Sequence, residues 1–127
     1  MRRDSKDKRW KDLKLRVTTR DSGDRLLKIL TIEEAILFKE SSEVITNILD
    51  VAHIFPVSTH SKIMYEDCNC LLLNRLSHTR LDNMQNPVTG NPINKEIQFN
   101  WWKRIAGSSQ WSQLLDLLDY IPDYISN

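Results

Sequence analysis

A short apolar segment that ends in a histidine and is closed by a proline constrains this chain more than any other feature. Residues 48–52 form a strand-like run, His53 ends it, and Pro56 closes it because proline cannot donate to a sheet ladder. The loop that follows is polar and lacks clean periodicity, whereas the next apolar run is again strand-like. The sequence therefore predicts a strand, a loop, a second strand and a helix, at residues 48–52, 57–68, 70–73 and 74–82, with residues 43–47 as a candidate start of the first strand.

Polar residues of three types around these elements suit phosphodiester hydrolysis, which needs a base for water, a cation for the phosphate charge and a group that orients the base. His53 is the candidate base, because an imidazole can accept a proton near neutral pH. His78 is the candidate metal ligand, and Asp82 lies four residues later, so on a helix both can address one ion. Asn69 is the candidate orienter, because its amide can hydrogen-bond both the loop and the histidine.

These residues lie inside two longer patterns, A-H-I-x-P at residues 52–56 and N-x-L-L-L-N-x-x-x-H at residues 69–78. In these patterns the chain resembles the HNH family of nucleases, in the branch whose first motif is acidic-x-A-H-I-x-P and whose second motif ends in H-x-x-x-D. The resemblance covers about residues 43–93. It implies a ββα-metal finger with the base at His53, a loop-fixing amide at Asn69 and a metal ligand at His78. It also implies DNA as substrate and a divalent metal ion, Mg, Mn, Ni or Zn, as cofactor.

One position departs from the family pattern. Many members carry Asp or His directly before the first histidine as a second metal ligand, whereas this chain has Ala52. Asp50 projects from the same strand face as residue 52, but roughly 6 to 7 Å further back. Asp82 is slightly favoured as the replacement, because one rigid helix holds it beside His78. The alternative for Asp82 is to orient His78 rather than to bind the ion.

The first 28 residues carry most of the positive charge, with eleven Lys or Arg against five Asp, whereas the remainder has seven Lys or Arg against twelve acidic residues. Such a segment suits contact with nucleic-acid phosphates. Trp10, Leu13 and Val17 lie at helical spacing between the charges, which also fits an amphipathic helix with a solvated basic face. Both interpretations can hold for one helix. The candidate DNA-binding residues are Arg2, Arg3, Lys6, Lys8, Arg9, Lys11, Lys14 and Arg16.

Further helices are predicted on both sides of the motif region. Residues 31–34 have the form of a capping box that opens a helix through about Lys39. After turn-forming residues at 86–92, residues 95–106 fit a helix that Gly107 stops, and a last helix begins near Ser109 and carries apolar residues as far as Ile121. The expected core-facing residues of the helix opened by the capping box are Ile32, Ala35 and Ile36, and the helix over 95–106 carries Ile97, Trp101 and Ile105 at four-residue steps. Trp101 and Trp102 could stack on nucleic acid, but aromatic residues of a helix more often belong to the core.

Length and composition place these elements in a single globular domain over residues 1–127, of which 40% of residues are hydrophobic and 28% charged. The expected fold class is α+β, a small ββα-metal finger flanked by N- and C-terminal helices, with a basic segment at 1–28 and a helical segment at 95–127. The sequence contains no stretch typical of a membrane span or signal peptide, so a cytoplasmic, intracellular protein is expected. Cys68 and Cys70 cannot form a zinc ribbon alone. A makeshift zinc site with His53 and His78 is an alternative that would favour a structural role.

The function predicted from these patterns is divalent-metal-dependent endonuclease activity on DNA. One alternative is a non-catalytic nucleic-acid- or protein-binding module on an HNH scaffold, and another is an RNA-directed nuclease. The sequence leaves open whether the chain forms a homodimer.

Overall fold

The structure is a computed structural model that describes residues 3–42 and 48–125, and for residues 3–7 it describes the backbone alone. Within these ranges it is an α+β structure with one two-stranded antiparallel sheet. None of the helices described there combines the length and apolar character needed to cross a bilayer. The predicted strand start at 43–47 lies outside the described residues. The elements in chain order are α1 Arg3–Asp21, α2 Arg25–Ile29, α3 Ile32–Ser41, β1 Leu49–His53, β2 Cys70–Asn74, α4 Arg75–Asp82, α5 Lys95–Ala106 and α6 Ser108–Asp116.

The sheet and α4 have the predicted order of strand, loop, strand and helix. β1 and β2 pair in a register that runs from Leu49 opposite Asn74 to His53 opposite Cys70. Asn74 ends β2 and also caps α4, because its side-chain oxygen accepts a hydrogen bond from Ser77 N at 2.8 Å. The helix therefore starts immediately where the strand ends, which fixes α4 against the hairpin.

Both faces of β2 are buried. Leu71 and Leu73 of β2 join the main core, whereas Leu72 faces a second cluster that it shares with Leu13 and Val17 of α1. Successive strand residues point to opposite faces, so covering both faces explains why all five residues of β2 are buried and why the sequence there is a continuous apolar run. The amphipathic interpretation of the N-terminal helix is thus confirmed.

Polar side chains cover the outer edge of β2. The Leu72 N–H donates to Asp21 Oδ2 at 2.9 Å, and the Cys70 carbonyl accepts from Arg20 Nη2 at 2.7 Å and from Gln110 Nε2 at 3.1 Å. An edge strand otherwise presents unpaired backbone groups that can pair with another chain. Here α1 and α6 satisfy these groups from opposite parts of the sequence.

Asp21 is the centre of this edge arrangement. Its side chain is almost fully buried, and Arg25 Nη1 donates to its Oδ1 at 2.6 Å in addition to the bonds from Arg20 and Leu72. Burial raises the pKa of the carboxyl group, but the hydrogen bonds from Arg20, Leu72 N and Arg25 together outweigh that effect and leave the pKa below its ordinary value. The anion is therefore the form that the fold stabilises.

The predicted core-facing stripe of α3 is wrong. The capping box at its start is present, with Thr31 and Glu34 bonding each other's backbone, but Ile32 is 78% exposed, Ile36 is 53% exposed and Ala35 is also exposed. The described contacts hold this helix by its ends instead. Arg104 Nη1 donates to Glu34 Oε2 at 2.8 Å and lowers the pKa of Glu34 to about 2, and Ser41 Oγ donates to the Val88 carbonyl at 2.6 Å.

The predicted helix over residues 95–106 is confirmed as α5, whereas the last helix is shorter than predicted. In α5 the buried residues include Phe99 and Trp102, whereas Ile97 is 41% exposed and Trp101 is only half-buried. The buried side of this helix runs through Phe99, Trp102 and Ile105 in three-residue steps. A helical period of 3.6 residues is compatible with rows of either three- or four-residue steps. Trp102 is thus a core residue. The last helix ends at Asp116 rather than near residue 121. The Leu117 and Leu118 N–H groups then donate to carbonyls three residues earlier, as in a 3₁₀ helix.

Candidate active site

A pocket of about 700 Å³ beside β1 brings together His53, His78 and Asp82, and we call it the histidine pocket. Pockets of this size commonly bind small molecules or parts of larger ones. The two histidines come from different elements, since His53 ends β1 and His78 lies in the middle of α4. The remaining wall is apolar and aromatic and consists of Trp10, Val51, Pro56, Val57, Met64 and Tyr65.

The His53 ring is held by a backbone carbonyl of the loop between the strands. Its Nε2 lies 2.9 Å from the Met64 carbonyl oxygen, which can only accept a hydrogen bond. Nε2 therefore carries a proton in the neutral ring, and the lone pair is on Nδ1. The arrangement leaves Nδ1 as the atom that can accept a proton.

Asn69 is fully buried and binds backbone on both sides of the loop. Its Oδ1 accepts from Phe55 N at 2.8 Å, and its Nδ2 donates to the carbonyls of Phe55 at 3.1 Å and Ile63 at 3.4 Å. The expectation that this amide would bridge the loop and the histidine therefore needs refinement. Asn69 fixes the backbone next to Met64, and the Met64 carbonyl in turn holds His53.

His78 lies between two carboxylates. Its Nε2 is 3.1 Å from Asp82 Oδ2, and its Nδ1 is 3.1 Å from Asp50 Oδ2. The hydrogen bond to Asp82 is the main cause that raises the pKa of His78, burial opposes it, and the bond to Asp50 adds to the increase. An ion that binds either ring nitrogen therefore has to compete with a proton.

Asp50 and Asp82 occupy different surroundings, although both contact His78. Asp82 lines the histidine pocket, whereas Asp50 binds Arg75 Nη2 at 3.0 Å and Nε at 3.3 Å on the other side of the ring. The bonds from Arg75 lower the pKa of Asp50 against the effect of burial, and His78 lowers it further. Because the two nitrogens of an imidazole point away from each other, the two carboxylates cannot share one ion with His78 in this arrangement.

The histidine pocket offers two side chains that could serve as metal ligands, those of His78 and Asp82. Among the side chains that the structure describes, those of residues 8–42 and 48–125, no group of three or more His, Cys, Asp and Glu residues is placed to hold a metal ion. The pair of His78 and Asp82 is compatible with Mg²⁺ or Mn²⁺, which commonly keep several waters and use one or two carboxylates. Zinc usually takes three or four protein ligands. The makeshift zinc site is not formed by the described residues, and burial raises the pKa of the Cys70 thiol to about 12.

The basic face of α1 adjoins the pocket. The Arg9 guanidinium lies 4.1 Å from the centre of the Tyr65 ring, and Lys14 Nζ lies 5.9 Å from the centre of the Trp10 ring. Arg16 instead bonds Asp67 at 2.9 Å and so helps to fix the helix. The exposed cations of this face are Lys8, Arg9, Lys11, Lys14 and Arg16, while Arg2 and the side chains of Arg3 and Lys6 lie outside the described residues. Their contact with DNA stays a prediction.

Sequence reasoning missed two groups that hold the candidate base. Trp10 stacks on the His53 ring, with 5.6 Å between ring centres and 17° between ring planes. Its helical spacing with Leu13 and Val17 indicated a buried face, but nothing local indicated which residue it would meet. The Met64 carbonyl could not be found at all, because a backbone oxygen has no sequence signature.

The site is thus defined by its own chemistry: a histidine with an available ring nitrogen, a second histidine between two carboxylates, and a neighbouring helix with exposed cations. Comparison with known proteins finds no matching family, no matching curated protein and no matching solved structure.

Proposed function

We propose that this protein is a divalent-metal-dependent endonuclease that hydrolyses phosphodiester bonds of DNA. The proposed framework is a ββα-metal finger made of β1, β2 and α4. The observation that carries the proposal is the shared pocket, in which a histidine able to accept a proton stands with a histidine and carboxylate pair able to hold a cation. Metal-assisted hydrolysis requires a general base and a cation next to the same phosphate, and the proposed base and cation ligands line one pocket.

His53 is the proposed general base. Its Nδ1 takes a proton from a water molecule, and the oxygen of that water forms a bond to phosphorus while the bond from phosphorus to the leaving oxygen breaks. The Met64 carbonyl accepts the hydrogen bond from Nε2 throughout, so it stabilises the positive ring that results from the proton transfer. Asn69 maintains the loop geometry on which that contact depends.

His78 Nε2 and Asp82 are the proposed cation ligands, because both line the pocket that contains His53. When bound, a divalent ion supplies stabilisation of negative charge on the phosphate and the leaving oxygen. Asp50 then orients His78 by accepting from its Nδ1, as carboxylates behind metal-binding histidines commonly do. Between the two carboxylates that the sequence left open, the proposal assigns the ligand role to Asp82.

The exposed cations of α1 are the proposed contacts to DNA phosphates. Arg9 lies over the Tyr65 ring and Lys14 beside the Trp10 ring, and both rings line the pocket, so a strand whose phosphate enters the pocket has positive charge next to it. Such contacts position the backbone and carry no sequence information by themselves. Whether the active form is a homodimer stays a prediction.

The test is a plasmid-nicking assay with Mg²⁺, Mn²⁺ or Ni²⁺, repeated with excess chelator. We expect metal-dependent nicking by the wild type and a loss of about 100-fold or more in His53→Ala, which is the usual contribution of a general base. His60→Ala is the matched control, because His60 belongs to the same loop region but lines a different pocket, and it should keep the wild-type rate.

Three results would contradict the proposal. Chelator-resistant cleavage would rule out a metal-dependent mechanism. A wild-type rate in folded His53→Ala would rule out His53 as the general base. Binding of DNA without cleavage under any of the three metals would favour a non-catalytic module. A parallel incubation with labelled RNA distinguishes an RNA-directed nuclease, which would cut RNA and leave the plasmid intact.

A further inference from the structure

The His53 ring is restrained in two directions by groups from two different segments. The Met64 carbonyl binds Nε2 in the plane of the ring, and the indole of Trp10 lies nearly parallel to the ring face. The hydrogen bond limits rotation of the ring within its own plane, whereas the indole limits tilting of the ring out of that plane. Together the two contacts determine the direction in which Nδ1 points.

Trp10 can serve as a fixed surface because α1 is anchored elsewhere. Leu13 and Val17 are fully buried on the same face of the helix. Arg16 bonds Asp67, and Arg20 donates to the Asp67 carbonyl at 2.7 Å, so the helix is also bound to the end of the loop that precedes β2. The orientation of Trp10 is thus set by the packing of a whole helix.

Stacking between Trp10 and His53 has a consequence for reaction geometry. Productive proton transfer needs the base in a narrow range of orientations, and misplacement by about 1 Å can cost on the order of 100-fold in rate. The side chain of a histidine that ends a strand has two rotatable bonds, so a single hydrogen bond leaves it free to tilt. An aromatic face removes that freedom without contacting the reacting atoms.

We propose that Trp10 is a positioning residue for His53, so that an element outside the hairpin controls the orientation of the base. The expected effect on rate rests on the proposed function, whereas the expected effect on the orientation of the His53 ring does not. Trp10 is expected to act through the ring that it covers and to contribute little to substrate affinity.

The experiment compares Trp10→Phe, which retains a flat aromatic face, with Trp10→Leu, which retains apolar volume next to Leu13 but has no flat face. Leu15→Ala is the control, because Leu15 lies on the same helix and is 68% exposed. The first readout is the NMR signal of the His53 ring protons, identified by its loss in His53→Ala. Stacking shifts this signal upfield, so we expect the shift to persist in Trp10→Phe and to disappear in Trp10→Leu.

The second readout is the split between kcat and KM in the nicking reaction. We expect Trp10→Leu to lower kcat by about tenfold or more with KM nearly unchanged, and Trp10→Phe to recover most of that loss. An unchanged ring-proton signal in Trp10→Leu, or a rise in KM at constant kcat, would overturn the inference. If the wild type cleaves nothing, the proposed function fails, and the NMR comparison alone decides whether Trp10 holds the ring.

Discussion

Replacing Asn69 with alanine tests whether a buried amide outside the pocket controls the base inside it. The side chain is fully buried, and it bonds Phe55 N, the Phe55 carbonyl and the Ile63 carbonyl. Alanine removes the side chain that pairs with these three backbone groups. The Ile63 carbonyl keeps a bond from Glu66 N at 3.1 Å, whereas the two Phe55 groups stay inside the protein, where water cannot replace the lost bonds without local opening.

The expected magnitude follows from these bonds. A buried backbone group that loses its partner costs about 1 to 3 kcal/mol, and the 3.4 Å bond to Ile63 is the weakest of the set. We therefore expect the free energy of unfolding to fall by about 2 to 4 kcal/mol. Domains commonly have about 5 to 15 kcal/mol available, so the variant should remain folded. The loop next to Met64 should loosen, and the rate of cleavage should fall by about tenfold to 100-fold.

The assay is urea unfolding followed by tryptophan fluorescence, combined with nicking measured well below the unfolding transition. Asn91→Ala is the matched control, because Asn91 is exposed, and its effect on stability should stay within about 0.5 kcal/mol. Full activity in a destabilised Asn69→Ala protein would refute the link from the loop to the base. Loss of less than about 1 kcal/mol would refute the hydrogen-bond argument itself.

Three further predictions follow from the other contacts. Asp21→Ala should lose about 3 to 5 kcal/mol in urea unfolding at pH 7, against less than about 0.5 for the exposed Asp12→Ala. Because the pKa of Asp21 is lowered in the folded state, this difference should be fully present above the ordinary carboxyl pKa and shrink as the pH falls through the folded value; a difference that grows in acid would contradict it. In calorimetric titration with Mn²⁺, Asp82→Ala should weaken binding more than Asp50→Ala, and the reverse order would exchange their roles. Removing residues 1–9 should flatten the salt dependence of DNA affinity, whereas an unchanged slope would leave α1 a purely structural helix.

The hairpin and α4 could be predicted because local signals agree there. Apolar runs, the closing proline and a capping Asn74 all lie within the segment that they specify. The same locality made the pairing of His78 with Asp82 predictable, since four residues on a helix fix their distance. The carboxylate that replaces the ligand missing at Ala52 was left open between Asp50 and a slightly favoured Asp82, and in the structure each of them contacts a different ring nitrogen of His78.

What failed depends on contacts that sequence periodicity cannot encode. The helix α3 has apolar residues at helical spacing, yet it is held by Arg104 at one end and by Val88 at the other. Likewise the stack of Trp10 on His53 joins residues from separate elements, and no pattern near either residue indicates the other. In α5 the four-residue spacing of Ile97, Trp101 and Ile105 does not mark the core, because only Ile105 of the three is buried, beside Phe99 and Trp102.

The covered edge of β2 has a consequence for any attempt to isolate the site. Its backbone groups are satisfied by Asp21 and Arg20 from the first helix and by Gln110 from the last, and the strand itself is almost entirely apolar. A fragment limited to residues 48–82 would expose those groups on an aggregation-prone strand, ready to pair with another copy. The hairpin and helix that carry the candidate site therefore depend on the rest of the chain. A scaffold into which they are grafted must supply new hydrogen-bond partners for the edge of β2.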